Sequence, residues 1–282
     1  MKYWRAIFVP LLVAVLPAGA AGADKAPVLV ELFTSEGSAG CPPADQLLAK
    51  LDATAIVLGE HVTTWDGALW RDRFATEDLT KRQQAYAERF RLDGVYAPQM
   101  VVNGAVQFSG SDANRAAVEI RKAEKRTKIV PRLLWADGGV QVEIDGAHVG
   151  DRVFLALADD SATTAVTGGA NKGRQLHHVA VCRQILTAGL VPLGGAFYQL
   201  VKLPPQARKQ RAIVWLQVGD VGAVAGATAP TSLAAGRVSA PALHSDKVFI
   251  LKWDAVRMGS AERSCESPET RSRFSGGYNR VR

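Results

Sequence analysis

The first part of the chain alternates between two hydrophobic periods. "VLVELF" at 28–33 is a nearly continuous apolar run typical of a buried strand, and residues 44–53 carry apolar side chains at the i, i+3, i+4, i+7 spacing of one helix face. A second buried-strand pattern covers 55–62. A second amphipathic helix is predicted from about Thr76 to Arg91. The order so far is strand, helix, strand, helix.

A hairpin and a third helix follow. In "MVVNGAVQF", Asn103 and Gly104 join two short strands, because this residue pair tolerates the positive φ angles of a tight turn. Asp112 is a candidate N-cap for the next helix. The pattern over residues 28–127 therefore predicts an α/β domain, in which the hairpin runs antiparallel at one edge of an otherwise parallel sheet.

Past Lys128 the hydrophobic period becomes two. Residues 129–228 alternate apolar and polar positions between Asp-Gly and Gly-Gly turns, which predicts an antiparallel β domain of sandwich or meander type. Residues 229–282 are rich in Ser, Pro and Arg and show weak periodicity. We expect this C-terminal extension to be partly ordered at best.

The N-terminus has the pattern of a signal peptide, which we assign to residues 1–23. Lys2 and Arg5 precede an apolar stretch too short to span a bilayer comfortably, and "AGAAGA" offers small-residue cleavage sites. We therefore expect a periplasmic or secreted protein with no stable membrane span after cleavage. The alternative is an uncleaved anchor.

Composition narrows the class of protein. Hydrophobic residues make up 48% of the chain and charged residues 22%, which is typical of a soluble globular protein and excludes a disordered or multi-pass membrane class. The formal net charge of +7 owes much to arginines scattered through the C-terminal tail, without aromatic interleaving or a nucleic-acid motif. We therefore expect no nucleic-acid partner.

The chain has three cysteines, Cys41, Cys182 and Cys265, and export would place them in an oxidising compartment. One arrangement pairs Cys182 with Cys265 and leaves Cys41 free. The alternative leaves these two as separate buried thiols, and the sequence does not choose between the two arrangements.

Cys41, in "GSAGCPPAD", lies where the first strand passes to the first helix. Free backbone N–H groups at such a helix start stabilise a thiolate. Either Ser38 or Cys41 can be the N-cap, and we prefer Cys41 because Pro42 then takes the first helical position, where proline is favoured. The flanking glycines and prolines favour an exposed functional thiol. A small buried hydrophobe is the alternative.

The order of elements, the thiol at the first strand-to-helix turn and Pro98 before the third strand resemble the thioredoxin fold. More specifically, most of residues 28–218 is similar to a secreted, thioredoxin-like bacterial family, the domain-of-unknown-function 1223 family. The resemblance is carried by "VLVELFTSEGSAGCPPADQLL", "HVTTWD", "RFATEDLTKRQQAYAERF", "GVYAPQMVVNGAVQFSGSD" and "NKGRQLHHV".

The family pattern commonly has cysteines at the positions of both Ser38 and Cys41, whereas this chain keeps only Cys41. By resemblance, Ala97 and Pro98 occupy a cis-proline loop that packs against the active sulfur and offers backbone groups to a peptide substrate. The serine removes the usual attacking sulfur. Cycling through an internal disulfide is thereby excluded at this turn, unless another cysteine comes within bridging distance.

In the thioredoxin fold the end of the second strand lies close to the thiol turn, so His61, Trp65 and Asp66 are further candidates. A histidine or aspartate there can tune the pKa of the sulfur. The alternatives are a packed Trp65 and a capping Asp66. His177 and His178 are adjacent on a predicted strand and point to opposite faces, which argues against a shared metal ion. We predict no metal or cofactor.

Two hypotheses follow. The first is an exported monothiol redox protein, whose partner is a thiol-containing protein or small thiol. Its thiolate would form a mixed disulfide with that partner, or would be oxidised to a sulfenic acid that another thiol then resolves. Its catalytic residues would be Cys41, Ser38 and Pro98, and its substrate-binding residues Ala97, Trp65 and Asp66. The second is a non-catalytic envelope binding or interaction protein that retains the fold without the chemistry. Enzymatic activity, substrate and oligomeric state stay open at this point.

Overall fold

The computed structural model describes residues 27–126 and 129–229, all within one compact unit. The predicted signal peptide at 1–23, nearly all of the C-terminal extension, and Cys265 lie outside the described residues. Within those two ranges no helix is long and apolar enough to cross a bilayer.

The described residues contain three α-helices and eleven strands. The first part of the chain forms β1 (Leu29–Thr34), α1 (Pro42–Leu51), β2 (Ile56–His61), α2 (Glu77–Phe90), β3 (Gln99–Val102), β4 (Val106–Ser109) and α3 (Ala113–Glu124). The second part forms β5 (Arg132–Ala136), β6 (Gly139–Ile144), β7 (Arg152–Ala165), β8 (Gln175–Leu190), β9 (Phe197–Lys202), β10 (Arg211–Gln217) and β11 (Val224–Thr228).

Local sequence signals fix the ends of several elements, as predicted. Asn103 and Gly104 adopt φ angles of 47° and 57° and turn the chain between β3 and β4. The side chain of Asp112 accepts a hydrogen bond from the N–H of Arg115 at 2.9 Å and caps α3. Helix α2 begins after Thr76, whose hydroxyl accepts a hydrogen bond from the N–H of Leu79.

Eight strands form one large sheet in the order β11-β10-β7-β8-β2-β1-β3-β4, and three form a second sheet in the order β5-β6-β9. The protein is therefore a mixed α/β structure with a large, mostly antiparallel sheet and few helices. Among residues 28–126 the predicted arrangement is present, because β1 and β2 are parallel and the β3–β4 hairpin is antiparallel at the edge. The sequence analysis did not predict that later strands extend this sheet.

The later strands join the sheet at the free edge of β2. Gly59 of β2 pairs in parallel with Val181 of β8. A β-carbon at Gly59 would lie 3.1 Å from the carbonyl oxygen of Val179, so a glycine allows β8 to approach closely. The predicted division at 127–129 stays a prediction, since one hydrogen-bonded sheet runs through both segments.

Buried apolar side chains cover both faces of the large sheet. Helices α1 and α3 pack on one face through Leu48 and Ile120, and α2 packs on the other through Leu79 and Tyr86. The smaller sheet packs against β7 and β10 in a separate cluster that includes Val142 and Leu155. The two helical layers leave the loop from β1 to α1 at one end of the sheet.

A buried ionic network lies on the α2 face, and we call it the Arg82 cluster: Glu31, Glu60, Arg82, Tyr86 and Gln217. The Arg82 Nε donates to Glu31 Oε1 at 2.9 Å, and the Tyr86 hydroxyl donates to Glu31 Oε2 at 2.7 Å. Gln217 of β10 donates to the Tyr86 hydroxyl at 2.9 Å. This network connects β1, β2 and α2 with a strand from the second part of the chain.

Candidate functional site

The thiol turn, residues 35–41, connects β1 to α1. Cys41 is the N-cap of α1 and Pro42 takes the first helical position, so the preferred register is confirmed. The N–H of Ser35 donates to the Cys41 sulfur at 3.4 Å, and the N–H of Cys41 donates to the carbonyl oxygen of Ser38 at 3.3 Å. The turn thus wraps around the sulfur.

The expectation of an exposed, acidic thiol was wrong. Cys41 has 0% of its surface exposed and Ser38 only 8%, so both positions of the turn are buried. Burial raises the pKa of the Cys41 thiol and outweighs the hydrogen bonds from Ser38 and Thr34, which lower it. The sulfur is therefore protonated and shielded from solvent in this structure.

The start of helix α1 does not supply the stabilisation that the sequence analysis expected. Pro42 and Pro43 have no N–H, and the N–H groups of Ala44 and Asp45 both bond to the carbonyl oxygen of Cys41, at 2.9 and 3.1 Å. The carboxylate of Asp45 in the first turn further raises the pKa of the thiol. The two prolines remove the donors that would face a thiolate.

Pro98 lies against the thiol turn, as the resemblance implied. The Ala97–Pro98 peptide bond is cis. A β-carbon at Gly40 would lie 3.5 Å from Cδ of Pro98, an ordinary contact distance. The carbonyl oxygen of Pro98 accepts a hydrogen bond from Gly110 at 2.9 Å. A role of Ala97 and Pro98 in docking a substrate stays a prediction.

Trp65 and Asp66 lie beside the same turn. A β-carbon at Gly37 would collide with the carbonyl oxygen of Trp65, so the turn passes this backbone at close range. The Asp66 carboxylate accepts a hydrogen bond from the N–H of Asp72 at 2.9 Å, which agrees with the structural alternative considered for it. Substrate binding by Trp65 and Asp66 stays a prediction.

A group of buried titratable side chains surrounds the turn, and we call it the His61–His178 cluster: Glu36, Asp45, His61, Asp72 and His178. Asp72 Oδ2 lies 2.6 Å from Nδ1 of His61 and accepts the N–H of Glu36 at 2.8 Å. His178 Nε2 lies 3.2 Å from Glu36 Oε1, and its Nδ1 lies 3.7 Å from Asp45 Oδ2. The two imidazole rings are in edge contact, with centroids 4.6 Å apart.

The electrostatics of this cluster favour a charged His178. Burial alone would lower the pKa of His178, but the nearby carboxyl groups of Asp45 and Glu36 outweigh it and raise the pKa to about 9. Burial likewise acts to raise the pKa of Asp72, yet the hydrogen bond from His61 and two backbone N–H groups hold it below its usual value. At neutral pH the cluster therefore contains an imidazolium between two carboxylates.

The loop 166–174 between β7 and β8 closes the other side of the turn. The amide of Asn171 donates to the carbonyl oxygens of Glu36 at 2.8 Å and of Ser38 at 2.9 Å. Its side chain is nearly fully enclosed, since Asn171 is 1% exposed. A residue more than a hundred positions away thus binds both sides of Gly37 and accounts for part of the burial of the turn.

A model of the family described as protein of unknown function (DUF1223) matches residues 29–217. The chain belongs to the DUF1223 family. Among solved structures it is similar to a crystal structure of a protein from Agrobacterium tumefaciens, with 26% identity over 76% of this chain and 98% of the other, at a TM-score of 0.65. It also shares its fold with HBP35 of Porphyromonas gingivalis, at 12% identity, 77% and 80% coverage and a TM-score of 0.51. Curated proteins give no match.

In this DUF1223 chain the sequence analysis found the thiol turn, His61 and Pro98 but missed most of the cluster. It placed His177 and His178 on opposite faces, and indeed His177 is exposed while His178 is buried. The usable signal was polar residues inside apolar strand patterns, such as His178 within β8. Their partners lie far away in sequence, which a local pattern does not reveal.

The other cysteine in the described part of this DUF1223 chain, Cys182, is a free thiol with 0% exposure. Burial holds its pKa well above the usual value. The predicted pairing with Cys265 stays a prediction, because Cys265 lies outside the described residues. In residues 27–126 and 129–229 no group of three or more His, Cys, Asp or Glu side chains is arranged to hold a metal ion.

Proposed function

We propose that residues 28–126 form a thioredoxin-like unit on which the β-rich segment has been added. The strand order β2-β1-β3-β4, with parallel β1 and β2 and an antiparallel hairpin, supports this proposal. So do the thiol at the β1–α1 turn and the cis Ala97–Pro98 bond before β3. The β-rich segment then extends the unit along the free edge of β2 and packs its second sheet as a sandwich-like layer.

On this scaffold we propose a non-catalytic binding or interaction protein of the bacterial envelope, exported through the signal peptide at 1–23. The observation that carries the proposal is the burial of both Ser38 and Cys41. A thiol–disulfide exchange protein needs an accessible thiolate at this turn, because the thiolate attacks the substrate sulfur directly. Here the first position has no sulfur and the second is covered.

The raised pKa of Cys41 supports the same proposal. With a pKa above the ordinary ~8.5 of a free thiol, only a minor fraction of the sulfur is ionised at neutral pH. In the first turn of α1, no free N–H offsets the burial, because Pro42 and Pro43 have none and those of Ala44 and Asp45 bond to the carbonyl oxygen of Cys41. The Cys41 thiol should therefore be unreactive in this conformation.

A monothiol redox role is the second candidate, and one observation favours it. The N–H of Ser35 donates to the sulfur, and the side chains of Ser38 and Thr34 lie near enough to lower the pKa of the thiol as well. In that role the Cys41 thiolate would attack a disulfide of a protein or small-molecule partner, form a mixed disulfide and release the other sulfur as a thiolate. The role requires that solvent reach Cys41.

The pH dependence of alkylation separates the two candidates. Iodoacetamide labelling of the mature protein would be followed from pH 5 to pH 10, with Cys41→Ser and the Cys182→Ser, Cys265→Ser double variant as controls. The non-catalytic proposal expects slow labelling of Cys41 until the protein is denatured. A Cys41-dependent reaction in the native protein with an apparent pKa near or below ~7 would overturn it in favour of the monothiol role.

A further inference from the structure

We infer that the loop 166–174 is a lid over the thiol turn and that Asn171 is its latch. The two hydrogen bonds from the Asn171 amide end on the carbonyl oxygens of Glu36 and Ser38. The lid therefore occupies two backbone acceptors of the thiol turn. This inference rests on contacts and holds whichever chemical role Cys41 has.

Polar and backbone contacts connect the region of the lid to the rest of the protein. At its C-terminal side, His178 of β8 bonds Glu36. At its N-terminal side, a β-carbon at Gly168 would collide with the carbonyl oxygen of Leu69, so the lid backbone rests on the 66–72 loop. The indole N–H of Trp70, in the same loop, donates to Glu36 Oε2 at 3.2 Å.

The lid has little apolar surface to hold it closed. Among residues 166–174 only Val166 is a buried apolar side chain, whereas Lys172 and Arg174 are exposed. Gly169 and Gly173 adopt φ angles of 69° and 84°, which glycine reaches at no steric cost. Segments with few buried apolar contacts open locally at a lower free energy than the whole fold unfolds. We therefore expect the lid to open while the sheet stays intact.

Opening would uncover Ser38 and Cys41 together with the two backbone carbonyls that Asn171 occupies. The closed lid is then an autoinhibitory contact made by the β-rich segment on the thiol turn. Cys182 provides an internal reference, since it lies in the apolar cluster under α2 with 0% exposure and is reached only when the sheet itself opens.

Thiol labelling under native conditions tests the lid in the unaltered protein. Alkylation of Cys41 and Cys182 would be followed separately by peptide mass spectrometry at one pH, in increasing urea, and each rate divided by the rate in unfolded chain. We expect Cys41 to be labelled about ten-fold or more faster than Cys182, with a shallower dependence on urea. Equal rates and equal urea dependence at the two sites would overturn the lid.

Asn171→Ala identifies the latch. Removing both amide hydrogen bonds should speed labelling of Cys41 by about ten-fold and leave Cys182 unchanged, while the matched variant Lys172→Ala on the exposed side of the lid changes neither. An equal rise at both cysteines would show that Asn171 supports the whole fold, which would overturn the inference. These rates at a single pH do not depend on the pH profile that tests the proposed function, so the two can fail separately.

Discussion

The two faces of the large sheet hold their buried charges in different ways. On the α2 face, the positive charge of the Arg82 cluster is a guanidinium, which keeps its proton at any pH at which proteins fold. On the α1 face, the positive charge of the His61–His178 cluster is an imidazolium with a pKa of about 9. Neighbouring residues of β2 supply both networks, because Glu60 and His61 point to opposite faces of the strand.

Because of this difference, the positive charge of the Arg82 cluster is permanent, whereas that of the His61–His178 cluster depends on pH. The Arg82 cluster joins the first strands to β10 through Gln217. Its guanidinium keeps its charge at every pH, whereas burial and the charge of Glu31 raise the pKa of Glu60 well above its usual value. The His61–His178 cluster joins the thiol turn and α1 to β8, and it depends on a proton at His178. The pH-dependent contact, that of the His61–His178 cluster, is the one that lies beside the lid.

The largest expected effect is on the α2 face. Arg82→Met removes the partner of Glu31, whose side chain is fully buried, and leaves an uncompensated carboxylate in the core. We expect a loss of about 3–5 kcal/mol in the free energy of unfolding, measured by urea denaturation at pH 7. Lys81→Met, on the exposed side of the same helix, is the matched control and should cost less than about 0.5 kcal/mol. A loss below about 1 kcal/mol in Arg82→Met would mean that the Arg82 cluster contributes little to the stability of the folded protein.

The next effect is the pH dependence of the α1 face. The pKa of His178 is about 9 in the folded protein and 6.5 in the absence of its partners, so the folded state binds the proton more tightly. The resulting stabilisation, about 3 kcal/mol, is fully present below pH ~6.5 and is lost as the pH rises through about 9. We expect the free energy of unfolding of the wild type to exceed that of His178→Gln at pH 6, and this difference to shrink by pH 9.5.

His177→Gln is the control for this titration, because His177 is the exposed neighbour of His178 on β8. Its free energy of unfolding should follow the wild type within about 0.5 kcal/mol at every pH. A difference between wild type and His178→Gln that stays constant from pH 6 to pH 9.5 would show that His178 is uncharged in the folded protein, and the contrast between the two faces would disappear.

A smaller effect concerns the shape of the thiol turn. Gly37→Ala would place a β-carbon against the carbonyl oxygen of Trp65, whereas Gly40→Ala would meet Pro98 at an ordinary 3.5 Å. We expect Gly37→Ala to lose about 1–3 kcal/mol in thermal or urea unfolding through this overpacking, and Gly40→Ala to lose less than about 0.5 kcal/mol. Equal losses in the two variants would mean that the turn yields easily and does not press on the 63–66 backbone.

The features of the turn that sequence predicted are those set by neighbouring residues. Pro42 after Cys41 fixed the helix register, and the Asn103–Gly104 pair marked the hairpin turn, because both depend on local φ preferences. The burial of Cys41 was not predictable in this way. The turn around it is contacted by Asn171 and His178 across separations of 133 to 142 residues.

The same distinction applies to the sheet. The alternating pattern of the β-rich segment predicted its strands, since period two is a property of each strand alone. Nothing local in Val181 or Gly59 specifies that β8 pairs with β2. That contact depends on the open edge of β2 and on the absence of a side chain at Gly59. Both features matter only once the β-rich segment packs against the first part of the chain.

The smallest expected change in stability belongs to a variant that tests whether the thiol turn keeps the geometry of a disulfide. The side chain of Ser38 lies near enough to the Cys41 sulfur to lower the pKa of the thiol, so we expect a sulfur at this position to come within reach of a disulfide. We expect Ser38→Cys to fold with a change below about 1 kcal/mol when reduced, and to lose two titratable thiols on oxidation.

Ser35→Cys is the matched control for this pair, because the hydroxyl of Ser35 accepts the N–H of Gly37 and is directed towards that backbone. It should keep its thiols under the same mild oxidation. If Ser38→Cys also stayed reduced, the turn would no longer hold the two positions in bonding geometry, and the thioredoxin-like proposal would lose its chemical support. Closure of the Ser38→Cys disulfide would instead show that the backbone of the turn still holds positions 38 and 41 in disulfide geometry, so that the turn lacks only the sulfur that the serine replaces.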